Sequence, residues 1–308
     1  MREKQGKGRP TWWRSSGKGK DRPVGSSAHP TAKHHRSSDR ANRATSHAEG
    51  REDPFASGDG GRERAEDTFR LYGIHAVAAA VANPNRRIVR LFLTDNAEKR
   101  LAESLKGREI AKKRVDPRDL DRLLGSDTVH QGVMAEVEPL DAPTLEDLAE
   151  RAKSGGPLVV LDQVTDPHNV GAILRSAAVF GAAGLVMTRR HSPPISGALA
   201  KAASGALEHV PVALVANLAR ALSELEELGV RRIGLDGEAA VEIESEDFSG
   251  GIALVLGAEG SGLRRLSRES CDVLVRIGAS GAIASLNVSN AAAVALHVAA
   301  QRRKAASK

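Results

Sequence analysis

Cysteine occurs once in this 308-residue chain, as Cys271, which excludes both a disulfide framework and a cysteine-ligated zinc site. Such sparing use fits a reducing compartment, and the cytoplasm is the expected location. Aromatic residues make up 3% of the chain, and no run of about 18 apolar residues is present to span a bilayer. The opening stretch MREKQGKGRPTWWRSSGKGK has no apolar segment behind its basic residues, so it does not read as a secretory signal. Acidic residues recur through the same region without helical periodicity, which disfavours a mitochondrial presequence. No internal repeat stands out, and no His, Cys or carboxylate cluster has metal-ligand spacing, so no metal is expected.

The charge that is present is unevenly placed. Residues 1–60 hold 13 Lys+Arg against 7 Asp+Glu, an excess equal to the +6 of the whole chain. The rest is formally neutral. Residues 1–68 contain both tryptophans, Trp12 and Trp13, and few aliphatic residues, so they cannot bury enough surface to fold alone. They are expected to be a disordered basic tail, serving either solubility or diffuse attraction for phosphate.

From Phe69 the texture becomes an alternation of helix and strand. Residues 69–140 read as a small α/β unit. LYGIHAVAAAVANP suggests a helix ended by Pro84, RIVRLFLT a strand and NAEKRLAESLKG a helix closed by Gly107. A short strand near Glu109–Lys113, a helix opened by Pro117 and a strand at GVMAEVE complete it. Residues 141–156 read as a linker with a small helix, where Thr144 and Asp147 have the spacing of a capping box. Beyond Pro157, PLVVLDQV, GLVMT, VPVALV, RRIGLD, IALVLG and DVLVRI are six short apolar runs separated by helices. That is the pattern of a parallel sheet covered on both faces. NVGAILRSAAVFG sets Val170, Ile173, Leu174, Ala177 and Ala178 on one helical face, and the last helix does the same with Val288, Ala292, Ala295, Leu296 and Ala299.

In open parallel sheets, ligands bind beyond the carboxyl ends of the strands, and three loops there are unusual. In LDQVTDPHNVGAILR, Arg175 lies off the apolar face of the helix that follows Asn169, so it points to solvent or a cleft. An Asn cap plus a surface arginine is the plain alternative, and the solitary His168 reads as a polar loop residue. LVLGAEGSGLRR runs from a buried strand into a G-x-x-G-x-G turn around Glu259, which is neither a dinucleotide fingerprint nor a phosphate-binding loop. GAIASLNVSN turns from glycine and apolar residues into Ser285, Asn287 and a helix, where either side chain could be the cap. Core packing needs neither Glu259 nor Asn287 in those places. Together the three loops point to a ligand pocket.

NVGAILR, LVLGAEGSGL and SLNVSNAAAVAL resemble, in order and separation, the three motifs of the SpoU (TrmH-type) RNA ribose 2′-O-methyltransferases, over residues 157–303. LYGIHAVAAAV and VHQGVMAEV resemble the small substrate-binding domain of the RlmB-like branch, which methylates a guanosine ribose of 23S ribosomal RNA. The resemblance implies an α/β fold in which the parallel-sheet domain of residues 157–308 carries a C-terminal trefoil knot (the SPOUT fold). It further implies S-adenosylmethionine as cofactor, RNA as partner and a homodimer formed around the C-terminal helix. Carried over by motif, Gly257, Ile277 and Leu286 would hold the cofactor through backbone groups. Asn169, Arg175, Glu259, Ser285 and Asn287 would form the catalytic set. Gly278 and Ala279 stand where relatives commonly have proline and often methionine, which implies a looser cofactor loop. The same motifs serve transfer RNA and other ribosomal sites. An RNA-binding assembly protein without activity is the reading from another class.

Overall fold

The computed structural model describes residues 68–279, 281 and 285–306. The expected basic tail lies outside the described residues except for Thr68, which leads into the first strand.

The elements of the first unit are β1 (Phe69–Tyr72), α1 (Ile74–Ala82), β2 (Ile88–Leu93), α2 (Asp95–Leu101), β3 (Lys112–Arg114), α3 (Pro117–Leu124) and β4 (Val133–Val137). They build a four-stranded sheet in the order β1-β4-β2-β3. Strand β1 occupies Leu71 and Tyr72, which the periodicity assigned to a helix. It exists because β4 pairs with it antiparallel, Leu71 opposite Ala135, and that partner is remote in the chain. Helix α2 stops short of Gly107, since Ala102 N reaches Lys99 O, three residues back, and the chain winds on as turns.

The stretch expected as a linker carries α4 (Leu145–Ser154), which is no free spacer. Thr144 Oγ1 accepts from Asp147 N at 3.1 Å and Asp147 Oδ2 accepts from Thr144 N at 3.0 Å, the reciprocal capping box. Its Leu148, Ala149 and Ala152 are fully buried, and they pack against the second sheet. Four apolar positions on one face make the helix part of that core.

The second unit continues with β5 (Leu158–Asp162), α5 (Pro167–Phe180), β6 (Gly184–Thr188), α6 (Gly197–Ala202), β7 (Val212–Val215), α7 (Leu218–Glu227), β8 (Arg231–Leu235), β9 (Val241–Glu242), β10 (Ile252–Gly257), α8 (Arg265–Glu269), β11 (Val273–Arg276) and α9 (Val288–Ala306). The seven strands lie in the order β7-β6-β5-β10-β8-β11-β9, every pairing parallel. All six apolar runs are strands. The two-residue β9 at the edge carries no such signal. Alternate residues of β5 bury on opposite faces: Val159 and Leu161 join the core beneath α5 and α9, while Leu158 and Val160 join the one beneath α4 and α7. Among the described residues no helix is long and apolar enough to cross a membrane.

The first core is continuous with that of the small sheet. Helix α6 seats directly on β1, and a Cβ at Gly197 would lie 2.2 Å from Arg70 O, so no other residue permits that approach. Beside it, Arg86 of the small unit pairs with Glu208 in the 3-10 turn Ala206–Glu208.

Candidate active site

The first of the three loops leaves β5 at Asp162, whose side chain is fully buried although strand-end carboxylates ordinarily face water. Asp166 Oδ1 accepts from His168 N at 2.9 Å and caps α5, with Pro167 in the first turn. The cap is therefore Asp166 and not Asn169, and His168 belongs to the first helical turn. This frees the Asn169 side chain for other work. Arg175 is exposed and has no hydrogen-bond or ion-pair partner among the described residues. Val179, one turn further along the same face, keeps 72% of its exposure.

The second loop leaves β10 at Gly257, which sits in parallel register with Asp162. A Cβ there would fall 2.0 Å from the carbonyl carbon of Gly262, so the residue must be glycine for the loop to fold back. Gly262 N closes the turn on Ala258 O at 2.9 Å. The loop is then pinned at its far end: Arg264 donates its main-chain N–H at 3.0 Å and its Nε at 2.6 Å to the buried Asp162. Glu259 is held at the exposed tip.

The third loop delivers Asn287. Its Oδ1 accepts from Ser289 N at 2.8 Å and from Ser289 Oγ at 2.5 Å, which caps α9. Its Nδ2 donates at 2.7 Å to Glu259 Oε1 and at 3.1 Å to Asn169 Oδ1. One amide therefore starts the last helix and ties together the other two loops.

Beside this junction a cavity of about 420 Å³ opens over the ends of β8, β10 and β11. Gly257, Glu259, Ile277, Ser285 and Leu286 line it, so all three expected cofactor residues and two of the expected catalytic residues share one space. Asn287 reaches it through Glu259, and Asn169 through Asn287. Arg175 is not among the lining residues. Apolar Leu235, Leu256 and Val275 line it together with Gly237, Gly257, Gly260 and Gly262, with Asp236 and Arg276 at its polar edge, a wall that suits a flat apolar ring flanked by polar edges. The carboxylate of Glu259 at its mouth suits a cation. The donor set and the size fit S-adenosylmethionine, whose purine is flat and whose sulfonium is positive.

The largest pKa shifts lie off this site. Arg232 is buried, which alone would lower its pKa, but the hydrogen bonds it donates to Asp272 and Glu226 hold it above the ordinary value. The Arg232 hydrogen bond in turn holds the Asp272 carboxyl below its usual range. Burial pushes the Cys271 thiol up to about 12. These groups brace β8 against the start of β11. Among the described residues no group of His, Cys, Asp or Glu is placed to hold a metal ion.

Comparison with known proteins agrees with the geometry. The SpoU rRNA methylase family matches residues 156–297, and the RNA 2′-O ribose methyltransferase substrate-binding family matches residues 70–143. A 23S rRNA (guanosine-2′-O-)-methyltransferase RlmB of Ralstonia nicotianae is 44% identical over 237 residues, covering 76% of this chain and 95% of its own. The chain belongs to the SpoU rRNA methylase family. An RlmB of Pseudomonas putida is 37% identical to this SpoU-family chain over 242 residues, covering 76% of this chain and 97% of its own. The crystal structure of the SpoU methyltransferase AviRb from Streptomyces viridochromogenes, in complex with AdoMet, superposes with a TM-score of 0.68 at 25% identity. It covers 80% of this chain and 94% of that one.

Sequence reasoning passed over Asp162, Asp166 and Arg264 in this SpoU-family site. A carboxylate closing an otherwise apolar strand was the available signal for Asp162. Arg264 carried none, because its role depends on where the glycine turn returns.

Proposed function

We propose that the protein transfers a methyl group from S-adenosylmethionine to a ribose 2′-hydroxyl of RNA, and that its target is a guanosine of 23S ribosomal RNA. The observation that carries this reading is the Asn287 amide joining Asn169 and Glu259 at the edge of the glycine-walled cavity. The names of the RlmB relatives supply the RNA and the nucleotide.

S-adenosylmethionine supplies a methyl group already activated by its sulfonium. The chain's own work is then positional. Gly257, Ile277 and Leu286 would hold the cofactor through main-chain groups, and the Glu259 carboxylate, kept in place by Asn287, would suit its positive charge. Asn169 and the Ser285 hydroxyl orient the ribose, fixing the attacking oxygen in line. Arg175 holds the adjacent phosphate and lowers the cost of losing the hydroxyl proton, which passes to bulk water as the oxygen–carbon bond forms and the carbon–sulfur bond breaks.

Arg175 is assigned to a site shared by two subunits. Its exposed side chain and the exposed Val179 form one stripe on α5 that a second copy would cover, so the active form is a homodimer in which α5 and α9 meet their counterparts. The C-terminal segment is assigned the trefoil knot of the family, a reading supported by the insertion of β10 between β5 and β8. Residues 69–140 grip RNA, and the basic tail adds long-range attraction.

Mapping 2′-O-methylation on ribosomal RNA from cells with and without the gene tests the reading. One 23S guanosine should lose its methyl group in the deletion and regain it on complementation. An unchanged map, together with no heat on titrating purified protein with S-adenosylmethionine, would sink it.

A further inference from the structure

A second cleft, of about 470 Å³, opens over the carboxyl ends of β5, β6 and β7, whereas the cofactor cavity opens over β8, β10 and β11. The two are separated by the second loop, since Gly262 lines one and Arg264 the other. Three arginines, Arg190, Arg264 and Arg265, line the second cleft with His191, and among the described residues no carboxylate does.

The charge there is only partly answered. Arg264 Nε is committed to Asp162 at 2.6 Å, leaving the rest of its guanidinium at the cleft. Arg265 meets Glu269 at 2.8 Å, but both side chains are more than half exposed, so that pair is weak and exchangeable. Arg190 has no ion-pair partner among the described residues. Its main chain is nonetheless anchored, because the buried Thr188 hydroxyl donates to Arg190 O and lies 3.2 Å from Ser192 Oγ.

The backbone at the cleft is strained as well. Gln163, just after β5, has φ 57, and His191, just after β6, has φ 62, a region that residues other than glycine seldom adopt. Such outliers persist only where the surroundings impose them, and they concentrate at ligand sites. A cleft rich in guanidinium and lacking carboxylate selects a phosphate or a run of phosphates, because Arg presents paired donors that match phosphate oxygens.

We propose that this cleft binds the phosphodiester backbone of the substrate RNA next to the nucleotide being methylated, with Arg190 and Arg265 as the phosphate contacts. This rests on the RNA-methyltransferase reading above. Because Arg264 is both a cleft wall and the pin of the Glu259 loop, phosphate in the cleft would bear on the loop that shapes the cofactor cavity.

The test uses the full chain and in-vitro-transcribed 23S ribosomal RNA, with Arg190→Ala, Arg265→Ala, Arg190→Lys and, as a charge control on α4, Lys153→Ala. Each arginine-to-alanine change should weaken RNA binding by about 10-fold, the scale of one charge-assisted hydrogen bond. Each should also lower the slope of log affinity against log salt by about one ion. Arg190→Lys should restore the slope, and S-adenosylmethionine affinity should match the wild type throughout. Lys153→Ala should bind RNA as the wild type does. Excess inorganic phosphate should displace RNA no more than an equal ionic strength of chloride; preferential displacement would mark a site for free phosphate and overturn the backbone assignment. Wild-type affinity and slope in both alanine variants, alongside a wild type that methylates, would overturn the cleft assignment alone. A wild type that binds cofactor but methylates no ribosomal RNA would overturn the underlying reading and this proposal with it.

Discussion

Arg86 and Glu208 meet at 2.8 Å with side chains that retain 1% and 2% of their exposure, and the pair fastens the four-stranded sheet to the seven-stranded one. Arg86 also donates to Glu138 O at 2.7 Å, and Asn83 Nδ2 donates to Glu208 Oε2 at 2.8 Å, so both charges are fully answered. Removing one partner strands the other in a dry environment. Arg86→Ala should therefore lower unfolding stability by about 3–5 kcal/mol. The double change Arg86→Met with Glu208→Leu should recover most of that loss, because no charge is left buried. Urea unfolding of the three proteins checks this. A single-variant loss of about 0.5 kcal/mol, the level of an ordinary surface substitution, would contradict the burial.

Asn287 has two separable duties. Asn287→Asp keeps an oxygen to cap α9 but sets a carboxylate where Glu259 Oε1 now accepts a hydrogen bond at 2.7 Å. Thermal stability should then fall less than in Asn287→Ala, which loses the cap at a cost of about 1 kcal/mol. Single-turnover methylation should fall in both. If Asn287→Asp proves the less stable of the two but methylates normally, the cap and site roles have been exchanged.

Arg175 is exposed and has no hydrogen-bond or ion-pair partner in its own chain among the described residues, so Arg175→Ala should leave the melting temperature and cofactor affinity near wild type. Methylation in a single turnover should drop by roughly 10²- to 10⁴-fold. A mutant that loses S-adenosylmethionine binding yet keeps its rate at saturation would place Arg175 in the cofactor site instead.

Burial raises the Cys271 thiol to about 12, with Asp272 and Asp162 adding to the rise and Arg232 opposing it. The folded protein holds this proton where the unfolded chain releases it near the ordinary value of 9.0. The resulting stability is complete below that pH and is lost as pH climbs toward the folded value. A thiol reagent at pH 8 should modify the native protein far more slowly than the urea-unfolded one, since the thiolate is the reactive form. Cys271→Ser should flatten the decline in stability above pH 9. Equal labelling rates in the two states would show the thiol is open to water.

What could be read in advance divides along a physical line. Strands β5, β6, β7, β8, β10 and β11 announce themselves because burial on both faces demands unbroken apolar runs. Helices α5 and α9 do so through a single apolar stripe. Strand β1 and strand β9 are short edge pieces whose partners are far along the chain, and no local pattern encodes a remote partner. In the site, Asn169, Glu259 and Asn287 stand out as polar residues where packing asks for none. Neither composition nor spacing could tell that Asp166 would take the cap and leave Asn169 free. The Asp162–Arg264 clamp was equally hidden, because it forms only once β5 and β10 lie side by side.

That adjacency has a kinetic consequence. Strand β10 pairs with β5 only after β6, β7, β8 and β9 have been laid down between them in the chain, so the central contact of the sheet closes a very long loop. Contacts of such high sequence separation form slowly, since the entropy of closure precedes any gain from burial. On a translating ribosome, β5 emerges and waits with one edge unpaired, and Asn287, the last side chain of the Asn169–Glu259–Asn287 junction, appears after every strand of the sheet. A chain halted before Asn287 would hold every strand of the sheet but no assembled junction.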